Sequence, residues 1–241
     1  VVTALLRSLV AEPNRADRYR DGERMLTLEE IGTYAEDFLK SVPDGEPLSE
    51  RDAALIGLAV RASPAVLDMQ GTHDYSRRAL DAGASGAQVH EVLVLVSGLG
   101  VHTLMEGSRA LAAVLRERSE PSISAPLDAR RLQLWDRYVG DDPFWDSMEQ
   151  QVPGFLDALL RQSPEAFEAF FQYCAVPWKT AALRAYLKEL ISLAVDASPS
   201  HRFMPGLRLH LSNAVQLGVG RQAIRQALAI AADAPLHRGV A

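Results

Sequence analysis

The chain has 241 residues, 48% hydrophobic and 23% charged, enough for one large or two small domains with a real core. A net charge of −6 with no Lys/Arg run argues against nucleic acid as a partner, because phosphate binding needs a basic surface. The lone cysteine, Cys174, excludes an intramolecular disulfide, a CxxC redox pair and a Cys-rich zinc site.

Helix signals run along the whole chain. Val1–Val10 carries Arg7 and no long apolar stretch, so it does not read as a secretory signal. Thr27-Leu-Glu-Glu30 is a capping box ahead of an amphipathic run to Val42, stopped by Pro43. Ser49, with Asp52 three residues on, opens a second helix that Ser63-Pro64 ends, and Pro64 is in place to start the next. Gly83 and Gly218 each follow a helical pattern where a C-cap belongs. The most apolar stretch, Val89–Met105, is interrupted by His90, Glu91, Gly98, Gly100 and His102 and reads as too short and too polar to span a bilayer. A cytoplasmic protein with no membrane partner is expected. Ser119–Pro126, rich in Ser and Pro, is the boundary candidate, and Leu127–Val195 returns to helical patterning punctuated at Pro143, Pro153, Pro164 and Pro177. No alternating β-branched run suggests a strand. The expected fold class is all-α.

Sliding the chain along itself by 135 residues reveals a repeat. Leu55-Ile-Gly-Leu-Ala-Val60 falls on Leu190-Ile-Ser-Leu-Ala-Val195, and Ala62-Ser-Pro64 on Ala197-Ser-Pro199. In the same ungapped register Met69, Gly71, Ala79, Gly83, Leu93 and His102 meet Met204, Gly206, Ala214, Gly218, Leu228 and His237. This predicts a duplicated unit, roughly 27–118 and 127–241, with domains 1–126 and 127–241 packed as a pseudo-dimer. The shared apolar helix is hydrophobic nearly all round and should be buried, which desolvates any carboxylate it carries.

In the second unit, Lys188-Glu-Leu-Ile-Ser-Leu-Ala-Val195, Leu207-Arg-Leu-His210, Ala214-Val-Gln-Leu-Gly218 and Ile224-Arg-Gln-Ala-Leu-Ala-Ile230 resemble the carboxymuconolactone decarboxylase family. The first unit resembles it more loosely. The peroxidase-like branch carries CxxC before its histidine, whereas Pro64–Asp74 and Pro199–Leu209 hold no cysteine here, so thiol peroxidase chemistry is not expected. The resemblance implies a cofactor-independent lyase, decarboxylase or isomerase for a small, anionic organic acid or lactone. It also implies a homo-oligomer, since one-unit members form rings. The family glutamate and histidine survive as Glu189 and His210, but the first unit has Ala54 and Tyr75 there.

Glu189 and His210 are therefore the expected acid–base pair. His102 and Glu106, one helical turn apart, form a second candidate pair with His73 nearby. Tyr75, Arg208, His237 and Arg109 are candidate substrate contacts, with arginine suited to a carboxylate. The aromatic cluster of Trp135, Tyr138, Phe144, Trp145, Phe167, Phe170, Phe171, Tyr173 and Trp178 reads as core or interface rather than ligand box. Neither a cofactor nor a metal is assigned. Two other readings stand beside the enzyme: a non-catalytic binding or assembly module, and a metal-dependent enzyme using His102 and Glu106.

Overall fold

The computed structural model describes residues 26–240, so the reading made of Val1–Val10 lies outside the described residues. Among the described residues there are helices and no strands. Helix α1 (Leu28–Leu39) starts on the capping box expected at Thr27, with the Thr27 hydroxyl and the Glu30 side chain each serving the other's backbone N–H. Helix α2 (Glu50–Ala62) is capped by Ser49, which accepts from the Asp52 N–H, and it ends at Ser63 in extended backbone. The next helix does not begin at Pro64. A turn intervenes, and α3 (Met69–Asp81) is capped instead by Asp68. Helix α4 (Gly86–Ser97) passes through a single 3₁₀ turn, Gly98–Gly100, into α5 (Val101–Glu117).

Residues 121–180, which include the start of the unit expected from 127, are folded into helices. They form α6 (Pro121–Ser124), α7 (Ala129–Tyr138), α8 (Pro143–Gln151), α9 (Phe155–Gln162), α10 (Pro164–Cys174) and α11 (Val176–Thr180). Pro143 and Pro164 sit at helix starts, where a missing N–H costs nothing. Ile123 is buried against Ala112 and Ala158, which anchors the Ser/Pro stretch.

The last three helices are α12 (Ala185–Ala197), α13 (Met204–Gln216) and α14 (Arg221–Ala232), all within the unit expected at 127–241. Their bounds stand 135 residues after those of α2, α3 and α4 at both ends of all three helices. Backbone outliers keep the same register: Leu67 and Arg202 share φ of 43° and 49°, Gly83 and Gly218 φ of 87° and 85°. The register stops there. His102 lies in α5, but His237 lies in the irregular tail after α14, so the two are not equivalent.

The apolar helices α2 and α12 are central. Leu55, Ile56, Leu58, Leu190, Ile191 and Leu193 are fully buried in one core, each worth about 1.5–3 kcal/mol in transfer from water. The two helices pack against each other, α2 also against α14 and α12 against α4. A second core forms under the connecting segment, from Phe155, Leu156, Leu159, Leu160, Phe167 and Phe170 with Met105 of α5.

Two polar seams cross the join. The Tyr186 hydroxyl donates to Asp52 over 2.8 Å. Buried Glu91 of α4 accepts from the Lys188 ammonium at 2.8 Å, the Thr180 hydroxyl at 2.6 Å, and the Ala182 and Leu183 N–H groups. Burial works against this carboxylate, but Lys188, Thr180 and the two N–H groups outweigh it and hold its pKa below the ordinary value.

Candidate active site

The turn between α12 and α13 folds the second unit back on itself and sets Glu189 beside His210. The imidazole Nδ1–H donates to the Glu189 carboxylate over 2.7 Å, and the Asn213 amide, one turn further along α13, donates to the same oxygen at 3.3 Å. Glu189 is 5% exposed, as the apolar character of its helix requires. Burial opposes charge on His210. The hydrogen bond and charge of Glu189, joined by the charge of Asp196, prevail and raise its pKa above the ordinary histidine value.

Glu189, His210 and Asn213 line a cavity of about 760 Å³, a size suited to a small organic ligand. His102 of α5 reaches the same cavity. Its ring stacks on Phe203, centroids 3.9 Å apart, and its Nδ1 lies 2.8 Å from His201 Nε2. Burial presses the His102 pKa down to about 4; Asp196 opposes the shift and His201 and His210 add to it. His102 is thus neutral near pH 7.

The other candidates lie elsewhere. His73 is exposed on α3 beside Asp74. The Tyr75 ring packs over Gly57 and is flanked by the Arg61 and Arg78 guanidiniums, 5.0 and 4.7 Å from its centroid. Glu106 pairs with Arg109 at 3.0 Å, so the His102–Glu106 contact expected from one-turn spacing is not made. Arg109 is further engaged by the Pro153 carbonyl. Arg208 stacks on Tyr34. His237 accepts from the Gly239 N–H in the exposed tail. Among the described residues no lysine or arginine lines the cavity, so they do not assemble the expected arginine clamp on a carboxylate there.

Three features escaped the sequence reading. Asp196, fully buried in α12, and His201, in the turn after it, stand beside His102 and His210. The only sequence signal for Asp196 is one charge inside an otherwise apolar run, where the first unit has Arg61. The third is the aromatic wall. Trp135, Tyr138 and Phe167 pack as core, as expected, but Phe144, Trp145, Phe170, Phe171, Tyr173 and Trp178 face the cavity.

Cys174 also lies on the cavity wall, where burial pushes its thiol pKa up to about 11. A thiol so held is almost wholly protonated near pH 7 and is a poor nucleophile. Cys174→Ser is expected to keep turnover within about threefold, well short of the roughly hundredfold or greater loss on removing a group that moves a proton. Steady-state rates of the folded variant check this, and loss of most activity would restore a thiol mechanism.

No curated protein matches the chain. The pattern of the carboxymuconolactone decarboxylase family matches residues 164–236, a stretch holding both Glu189 and His210. Among solved structures, the chain is similar to a protein from Burkholderia xenovorans LB400 provisionally assigned as a gamma-carboxymuconolactone decarboxylase subunit. The two share 34% identity at a TM-score of 0.65, over 76% of this chain and 71% of that one. With its helical architecture and the retained Glu189–His210 segment, the chain belongs to the carboxymuconolactone decarboxylase family.

Proposed function

We propose that the protein is an acid–base enzyme of the decarboxylase or lyase type, acting on a small organic acid or lactone bound in the cavity. The observation that carries this reading is the 2.7 Å hydrogen bond between a buried glutamate and an imidazole on the cavity wall. In a decarboxylation, the C–C bond to the carboxylate breaks, CO₂ leaves, and the substrate takes up the electron pair. A proton must then be delivered to carbon. His210, kept protonated above its ordinary range by Glu189, is the donor, and Asn213 fixes the carboxylate that orients it. The aromatic wall suits a planar, unsaturated ring.

In this reading the chain is a tandem duplication whose second unit is active and whose first unit supports it. The matching helix bounds support the duplication, and Ala54 and Tyr75 support the division of labour. A homo-oligomer belongs to the same proposal. The run Gly86–Glu117 is long and apolar enough, by length and composition, to cross a membrane, longer than the stretch weighed in the sequence. Val94, Leu95, Leu99, Val101 and Met105 of that run line the cavity, which accounts for part of its apolarity. Leu93, Leu111 and Val114 remain exposed and offer a face for a second copy.

The test is direct: purified protein is incubated with gamma-carboxymuconolactone and a panel of related lactones and acids, while CO₂ release and substrate loss are followed. Saturable turnover of at least one is expected. Saturable binding without conversion of any would favour the binding-module reading instead.

A further inference from the structure

Asp196 is fully buried, and neither of its carboxylate oxygens has a hydrogen-bond partner among the described residues. A buried carboxylate in that condition is costly unless a cation serves it. Its counterpart in the first unit shows what ordinary compensation looks like. Arg61 is also buried, and it meets the Asp233 carbonyl and carboxylate at 3.0 and 3.2 Å, with Asp68 close by. At the position 135 residues after Asp68 stands Phe203, and among the described residues no lysine or arginine takes up the charge of Asp196. What surrounds Asp196 is imidazole. His201 Nε2 lies 3.5 Å from one oxygen and His210 Nε2 3.9 Å from the other. Gly206 leaves the room: a Cβ there would stand 2.1 Å from the carboxylate.

Donor atoms of His102, Asp196 and His201 all lie within 4.8 Å of one another. Ligands sharing one first-row ion at about 2.1 Å sit about 3–4 Å apart, so small side-chain adjustments would close the set. We propose that His102, Asp196 and His201 form a binding site for one divalent first-row transition-metal ion at the edge of the cavity. Two imidazoles and one carboxylate are the donor set such ions take when positions are left open for water or substrate. His102 reaches both the ion and the cavity, and Phe203 stacks on its ring to fix its plane. The site would also place positive charge beside a cavity that no lysine or arginine lines among the described residues.

The proposal stands apart from the acid–base reading, because binding is measured without any substrate. Chelator-treated protein is titrated with Zn²⁺, and separately with Mn²⁺, by calorimetry, with thermal melts run in parallel. One equivalent of Zn²⁺ per chain is expected, with a rise in melting temperature. His201→Ala and Asp196→Asn should each weaken binding by more than the roughly tenfold to hundredfold that follows loss of an outer hydrogen-bond partner. His73→Ala, on an exposed face, should leave it unchanged. Metal-free Asp196→Asn should melt close to metal-free wild type, since it keeps the side chain's size and removes a buried charge whose oxygens have no hydrogen-bond partner among the described residues. That variant therefore remains a usable test if the histidine change disturbs the turn. No saturable binding of either ion to wild type, or undiminished binding in either variant, would overturn the site.

Discussion

His210→Ala and Glu189→Gln are each expected to lower turnover by about a hundred- to ten-thousand-fold, the usual contribution of a positioned acid or base. The melting temperature should move by only a few degrees. His210 stands at a cavity wall rather than in the core, and Glu189→Gln keeps the size and most of the hydrogen bonding of the original. The two losses should not add in the double variant, because the residues act as one hydrogen-bonded unit. His210→Ala should lose the arm of the pH–rate profile that reports its proton. A structural role would show the reverse, with stability falling and the rate per folded molecule kept. Near-wild-type rates in both single variants would end the acid–base assignment.

The largest loss of stability is expected at Glu91 of α4, the partner of Lys188 on α12. Glu91→Ala leaves the Lys188 ammonium buried with only the Pro177 carbonyl and the Trp178 ring for company. Breaking a buried pair in this way costs about 3–5 kcal/mol. In a chain of this size each kcal/mol shifts the melting temperature by about 2–4 °C. Replacing both residues with leucine should recover much of the loss, because the unpaired charge is then gone. The pH dependence follows from the direction of the Glu91 shift. Its folded pKa is depressed, so its contribution is present above the ordinary carboxylate value of 4.5 and disappears as pH falls through the lower, folded value. Denaturant unfolding of wild type and Glu91→Gln across pH 3–6 would show that component only in the wild type. A Glu91→Ala protein melting within a degree or two of wild type would refute the role given to this seam.

Much of the fold was written in local signals. The Thr27 capping box, the glycines at 83 and 218, and the Ala-Ser-Pro pairs act over a few residues and mark helix ends that the structure keeps, although Pro64 does not start α3. Glu189 and His210 came from the family resemblance, not from local signals, and the single turn joining the helices that carry them is what brings the two side chains together. The rest depended on contacts between distant stretches. His201 matters because α5, about a hundred residues earlier, delivers His102 to it, and no periodicity encodes that meeting. Tyr75 was misplaced by register logic: it occupies the right position, but its ring is held over Gly57 between two guanidiniums. Phe170 and Phe171 read as core and are buried, yet the same residues form the cavity wall, a double role that hydrophobicity cannot reveal.

The connecting segment gives the cavity an unusual division of authorship. Glu189, His210 and His102 come from α12, α13 and α5, while most of its aromatic wall comes from α8, α10 and α11. In the proposed reading, proton transfer and ligand choice thus fall on separate stretches of chain. A lineage can rewrite residues 143–180 to admit a bulkier or slimmer ligand without touching Glu189 or His210. The same separation offers an engineering handle, since a transplanted connector would carry its selectivity into a relative whose proton-transfer machinery stays in place.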